Sequence, residues 1–216
     1  MKRTLINRLG ITGPLTLLSY LAAMIFAPLA YPGYNSLAQA VSDLSASDAP
    51  SRLLWGQLAA LHDVCGAVCV TLVCVYIQGK LNKALRAGIY LFSIMTWVSA
   101  VGYKMFPESE SGLGGQFQDV MHMAVTAVVV MLSIASLITI MAGGYKEKKY
   151  RSLAVWATIS LALMFAGAIG VNVAPREYFG IPERFSVIAA TGFTAVLGVY
   201  LMRGFGEAPE AAPDNG

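Results

Sequence analysis

Six long apolar stretches constrain this chain more than any other feature of its sequence. Each reaches or approaches the ~20 residues that a helix needs to cross ~30 Å of hydrocarbon. They cover residues 13–31, 53–78, 85–106, 117–141, 153–173 and 185–202. The pattern therefore predicts an all-α, polytopic membrane protein built as a bundle of six transmembrane helices.

The composition agrees with a membrane protein. Only 12% of the residues are charged and the mean hydropathy is +0.62, whereas soluble domains carry about 25% charged residues. The 216 residues leave little room for a separate soluble domain. We expect a membrane domain over residues 1–206 and a disordered, acidic cytoplasmic tail over residues 207–216, which are rich in proline and alanine. No long basic or acidic block suggests nucleic acid as a partner; the predicted surroundings are a lipid bilayer.

The first apolar stretch begins as a secretory signal peptide does, after a short basic segment. Two features favour a retained span instead. The stretch is longer than the apolar region of a usual signal peptide, and Pro28 would stand three residues before a cut after Ala30, where a small residue is preferred.

The distribution of Lys and Arg predicts the orientation. Eleven of the 15 Lys and Arg lie on one side of the predicted spans: at the amino terminus, at the carboxyl terminus, and in or next to the connections after the second and fourth spans. The other four lie in or next to the connections after the odd-numbered spans. Because basic residues accumulate on the cytoplasmic side, both termini are expected in the cytoplasm.

The polar interval 31–50 separates the first two spans. Within it, Ser36 and Gln39 fit a helix capping box. Residues from Ser36 to Leu44 also sort at a helical period into an apolar side and a polar side. The apolar side holds Leu37, Ala40, Val41 and Leu44, and the polar side Ser36, Gln39, Ser42 and Asp43. We predict a short interfacial helix here; a simple helical connector is the alternative.

Prolines follow three spans on the predicted outer side: Pro32, Pro107 and Pro175. The residue before a proline is restricted away from the helical conformation. We therefore expect each of these spans to stop sharply at its outer end.

Ionisable residues inside spans are costly and are candidates for function. Such residues concentrate in the predicted outer half, as His62 and Asp63 in the second span and Asp119 and His122 in the fourth. We predict that these four share one outward-facing pocket, with Asp43 and Arg184 near its mouth. Two alternatives stay open: Glu183–Arg184 as a boundary ion pair, and Asp119–His122 as a structural pair at a helix start.

Several short motifs resemble a prokaryotic membrane family that is known only as domain of unknown function 998. They are YPGYN at 31–35, SDL at 42–44, Phe106-Pro107 followed by His122 in the next span, and GIPERF at 180–185. The resemblance covers about residues 15–202. It implies a six-helix protein of a prokaryotic cell membrane and brings no established activity.

Three functions are compatible with the sequence. The first is a site for a lipid headgroup or small amphiphile, roofed by residues 36–44. The second is a metal-dependent intramembrane hydrolase, in which carboxylates and imidazoles hold zinc. Its plan is distantly similar to that of ceramidase-like hydrolases. The chain departs from that plan, because it has only two histidines and lacks the His-x-x-x-His element. The third is electron transfer by a b-type haem with His62 and His122 as axial ligands.

Overall fold

The computed structural model describes residues 4–109 and 115–206. Over these residues the chain forms eight α-helices, joined by turns and short 3₁₀ segments. The helices are α1 (Leu5–Leu9), α2 (Thr12–Phe26), α3 (Arg52–Leu58), α4 (Ala60–Tyr76), α5 (Lys83–Met105), α6 (Phe117–Gly144), α7 (Arg151–Val173) and α8 (Gly180–Met202). The predicted tail over 207–216 lies outside the described residues.

The prediction of six spans is confirmed. Six helical segments of the described chain are long and apolar enough to cross a membrane: Leu5–Ala30, Arg52–Tyr76, Lys83–Met105, Phe117–Gly144, Lys148–Val173 and Arg176–Met202. The first contains α1 and α2, and the second contains α3 and α4. The predicted sharp stops are also present, since helical structure ends at Ala30, Met105 and Val173, two residues before Pro32, Pro107 and Pro175.

The spans pack as a ring in chain order, with α8 also reaching the interior. The first span packs on α4 and α8, each later span packs on the next, and α8 additionally contacts α4. Phe92 of α5 and Phe193 of α8, both fully buried, meet edge to face with their ring centroids 5.0 Å apart. This core fixes the spans that surround the candidate site.

Glycines let the first span approach α8 closely. A Cβ added to Gly13 would lie 2.8 Å from the Cα of Gly198, and a Cβ on Gly198 would lie 2.8 Å from the Cα of Gly13. Small residues permit this kind of backbone contact between membrane helices. Thr16, one turn beyond Gly13, is thereby held close to α8.

The bundle has two chemically different ends. The polar end carries residues 31–51, 106–109, 115–116 and 174–179; here the Ser47 amide donates to the Glu108 carbonyl across 3.0 Å and joins two connections. The basic end carries the connections 77–82, 145–150 and 203–206, around which most of the Lys and Arg lie. All the predicted site residues lie in the half of the bundle nearer the polar end.

The predicted interfacial helix over Ser36–Leu44 is wrong in its extent. Only a 3₁₀ turn at Ser42–Leu44 is helical, and residues 36–39 form turns. The Asn35 amide donates to the Gln39 side chain across 2.7 Å, and the Asn35 side chain accepts from the Leu37 amide across 3.0 Å. Because the side chains of Asn35 and Gln39 accept hydrogen bonds from the backbone amides of this turn, the backbone does not continue as a helix.

The predicted faces of this segment also need correction. Val41 and Leu44 are buried as expected, but Leu37 is 50% exposed, and Asp43, expected on the polar side, is 7% exposed. The Asp43 carboxylate turns inwards and accepts a hydrogen bond from the Ala40 amide across 3.1 Å. The segment is thus a folded connection held by its own polar groups.

Candidate functional site

Asp63 forms the central ion pair of the polar half. It lies one turn into α4, and its Oδ2 is 3.0 Å from Nζ of Lys104, near the end of α5. Asp63 is largely shielded, with a side chain 28% exposed, whereas that of Lys104 is 65% exposed. The ammonium has three N–H donors, so the contact with Asp63 leaves further donors turned outwards.

An apolar groove of about 460 Å³ runs between α4 and α5 below this pair. Its walls include Val64, Val68, Trp97, Val101 and Met105, and each of these side chains is at least 40% exposed. The groove therefore opens to the outside of the bundle at the level of the spans. From Trp97 to Lys104 the α5 wall covers about 10 Å at helical rise.

The deep end of the groove is lined by the indole of Trp97. Trp97 Nε1 donates to Thr71 Oγ1 of α4 across 3.0 Å. Because this bond joins the two helices, it sets their spacing below the groove. The groove consequently has an apolar end at Trp97 and a charged end at Lys104.

A second, smaller cavity lies on the inner side of Asp63. It has a volume of about 50 Å³, is shared by α2, α4, α5 and α8, and is lined by Asp63, His62 and several hydroxyl side chains. The hydroxyls belong to Thr16, Thr96, Ser99, Thr191 and Thr194. Asp63 lines both the groove and the cavity, so its carboxylate lies between a lipid-level surface and a polar interior.

His62 is held from two sides. Its Nδ1 lies 3.4 Å from the Thr16 carbonyl, and its ring centroid lies 4.7 Å from that of Tyr20. Its Nε2 is 3.8 Å from Oδ1 of Asp63. The imidazole is thus fixed against α2 and turned towards the carboxylate.

Arg184, at the start of α8, fastens the 31–50 connection to the bundle. Its guanidinium donates to the Tyr34 hydroxyl across 2.8 Å, to the Gln39 carbonyl across 3.1 Å and to the Gly180 carbonyl across 2.6 Å. The Tyr34 hydroxyl in turn donates to the Ala40 carbonyl across 2.7 Å. Burial raises the pKa of Tyr34 to about 12, although the adjacent Arg184 charge lowers it, so Tyr34 is a neutral donor near pH 7.

Two further contacts complete this attachment. The Glu183 carboxylate accepts from the Val41 amide across 3.2 Å, and the Gly180 amide donates to the Leu37 carbonyl across 2.8 Å. A Cβ on Gly180 would overlap the Ser36 carbonyl at 2.6 Å. Glu183 and Arg184 therefore both bind the connection, which explains why the GIPERF and YPGYN segments come together.

Asp119 shapes the start of α6. Only 3% exposed, its carboxylate accepts from the Ser109 amide at 2.9 Å, from the Ser109 hydroxyl at 2.8 and 2.7 Å, and from the Gln116 amide at 3.1 Å. These are the contacts of a capping residue that also anchors the preceding connection. The suggested pairing of Asp119 with His122 is replaced by these contacts.

His122 joins α6 to the end of α5. Its Nδ1 lies 2.9 Å from the Phe106 carbonyl, and its ring lies 5.0 Å from that of Tyr103. The Tyr103 hydroxyl donates to Thr126 Oγ1 across 3.1 Å. His122 thus provides a hydrogen-bond partner for the Phe106 carbonyl, which has no partner within α5 because the helix ends before Pro107.

The six predicted site residues thus occupy three clusters. His62 and Asp63 line one cavity, Asp43 and Arg184 belong to the attached 31–50 connection, and Asp119 and His122 organise the 106–116 connection. A pocket common to the four intramembrane residues stays a prediction. The sequence assigned no site role to Lys104, one of the four Lys and Arg on the predicted outer side, or to Tyr34, which lies in the YPGYN motif.

The other two hypotheses gain no support from these contacts. Within residues 4–109 and 115–206, no group of three or more His, Cys, Asp or Glu is placed to hold a metal ion. His62 and His122 have different partners.

The six spans and their polar half define a multi-pass integral membrane protein. The chain belongs to the family described as protein of unknown function (DUF998), which matches it over residues 14–200. No curated protein and no solved structure matches it.

Proposed function

We propose that this protein binds a phospholipid or similar amphiphile, with the apolar chain in the groove between α4 and α5 and the headgroup phosphate on Lys104. One observation carries the proposal: an apolar groove of about 460 Å³ ends at Lys104, which is paired with the largely shielded carboxylate of Asp63. Within a bilayer, charged side chains at this depth mark binding sites by default.

The groove has the chemistry of an acyl-chain site. Its walls are aliphatic and aromatic side chains, and Trp97 is held rigidly by its bond to Thr71. Sites for small apolar ligands are concave, mostly apolar and carry few polar groups, which set orientation. Here the polar groups are confined to one end, so a bound chain has one preferred direction.

The ion pair has the chemistry of a headgroup site. Asp63 fixes the position of the Lys104 ammonium, whose remaining donors suit phosphate oxygens. Asp63 lies nearby as an acceptor for a headgroup ammonium. The site then sits at the polar end, which the Lys and Arg distribution predicts to be extracytoplasmic.

The phospholipid retained after purification in mild detergent, measured by native mass spectrometry, tests the proposal. Lys104→Met should lower the fraction of protein carrying phospholipid several-fold, because the phosphate loses its cation. Lys83→Met is the matched control, since it removes a lysine from the other end of the same helix. Equal lipid retention in the two variants would refute a headgroup site at Lys104.

A further inference from the structure

The small cavity behind Asp63 carries an inference of its own, independent of lipid binding. Its volume is about 50 Å³, above the ~10–15 Å³ that one water molecule requires. It is too small for an organic ligand of ordinary size. A space of this size suits water or a small ion.

Three of the five cavity hydroxyls present acceptors rather than donors. Thr16 Oγ1 donates to the Thr12 carbonyl at 3.0 Å, Thr96 Oγ1 to the Phe92 carbonyl at 2.9 Å, and Thr194 Oγ1 to the Ala190 carbonyl at 3.3 Å. A hydroxyl has one proton and two lone pairs. Because the protons of these three hydroxyls are used within their own helices, the three offer lone pairs to the cavity.

The imidazole of His62 adds another acceptor. The Thr16 carbonyl can only accept, so Nδ1 of His62 is the donor in their contact, and Nε2 of the neutral ring is left with a lone pair. That nitrogen lies 3.8 Å from Oδ1 of Asp63. Both acceptors border the cavity, so a cation bound there would contact the two of them, in addition to the Lys104 ammonium on the groove side.

The two carboxylate oxygens of Asp63 face different sides. Oδ2 contacts Lys104 on the groove side, and Oδ1 faces His62 on the cavity side. The cavity thus combines one carboxylate oxygen with several hydroxyl oxygens. Oxygen ligands suit hard cations, and because the Asp63 charge is already paired with Lys104, a monovalent ion adds less uncompensated charge than a divalent one.

We propose that this cavity binds a sodium ion, with Asp63 as the charged ligand and with Thr96, Thr191 and Thr194 among the oxygen ligands. The site joins α4, α5 and α8, so an ion there crosslinks three spans. Binding to the folded state alone stabilises a protein by mass action. Sodium should therefore raise the thermal stability of the purified protein.

Thermal unfolding in mild detergent tests this, with sodium, potassium or choline chloride compared at equal ionic strength. We expect a saturable rise in the unfolding midpoint with sodium that choline does not give and that potassium gives more weakly. Thr191→Val and Thr194→Val should each lower the apparent sodium affinity by about tenfold or more, the consequence of losing one good polar contact. Asp63→Asn should abolish the sodium effect.

Thr139→Val is the matched control. Its hydroxyl donates to the Ala135 carbonyl four residues earlier, at 2.6 Å, as the hydroxyls of Thr16, Thr96 and Thr194 do within their helices, but Thr139 is a half-buried residue of α6 and does not line the cavity. The proposal is overturned if sodium and choline give the same midpoint, or if Thr139→Val and Thr194→Val reduce the sodium effect equally. Lys104→Met should lose lipid yet keep the sodium effect, which separates failure of this site from failure of the lipid site.

Discussion

Asp63 and Lys104, on adjacent spans and 41 positions apart in sequence, meet with Oδ2 and Nζ 3.0 Å apart. This pair lies at the charged end of the groove between α4 and α5. The other oxygen of the same carboxylate faces His62 and the small cavity. One side chain therefore separates the surface proposed to bind lipid from the interior proposed to bind an ion.

The Asp63–Lys104 pair should contribute little to stability. Because the lysine side chain is mostly exposed, a double-mutant cycle of Asp63→Asn and Lys104→Met should give a coupling free energy of about 0.2–1 kcal/mol, as exposed pairs do. The measurement is reversible unfolding in detergent. A coupling several times larger would make the pair a structural element and would weaken the use of Lys104→Met as a binding variant.

Asp119 should contribute to stability through its contacts with Ser109 and Gln116. Asp119→Ala leaves these donors without their acceptor, and we expect a loss of about 1–2 kcal/mol in the free energy of unfolding. Asn172→Ala is a suitable control, because the exposed Asn172 donates to the Ala168 carbonyl of its own helix. If the two variants lose the same stability, the described anchoring of the 106–116 connection is energetically unimportant.

The raised pKa of Tyr34 predicts that the free energy of unfolding depends on pH in the alkaline range. Its pKa rises from 10.0 to about 12 on folding because of burial, so between these values the folded state holds a proton that the unfolded state has lost. The stabilisation is complete below pH 10 and declines as the pH rises through this window. Tyr34→Phe should unfold with a shallower loss of stability between pH 10 and 12; the same slope in both proteins would contradict the burial of the hydroxyl.

The spans could be predicted from the sequence because their length and apolar character are set directly by the bilayer. The sharp stops before Pro32, Pro107 and Pro175 could be predicted for an equally local reason. Residues 36–44 were mispredicted because a helical period in nine residues does not outweigh side chains such as Asn35 and Gln39, which bond to the local backbone.

The candidate site was only partly predictable, since its partners are distant in the chain. An aspartate inside a span, such as Asp63, needs a cation nearby. The sequence does not show that Lys104 supplies it. Likewise Asp119 and His122, three residues apart, suggested a local pair, whereas each bonds to the preceding connection. Long-range packing decides such choices, and periodicity carries no information about it.

The orientation stays a prediction and is tested by cysteine labelling. Asp48→Cys at the polar end and Lys148→Cys at the basic end are both exposed positions. An impermeant maleimide applied to intact cells should label Asp48→Cys alone. The wild-type protein, whose three cysteines lie within α4, gives the background. Labelling of Lys148→Cys instead would place the polar half, with its groove and cavity, on the cytoplasmic side.

Occupation of the groove is tested most directly by site-specific photocrosslinking to lipid in membranes. A photoreactive residue at Val68 inside the groove is compared with one at Ile138, an exposed apolar position on α6 outside it. We predict that both positions capture phospholipid, but that only the Val68 adduct decreases several-fold when Lys104→Met is added. If Lys104→Met leaves the Val68 adduct unchanged, or lowers both adducts alike, the groove is ordinary lipid-facing surface and the proposed function is wrong.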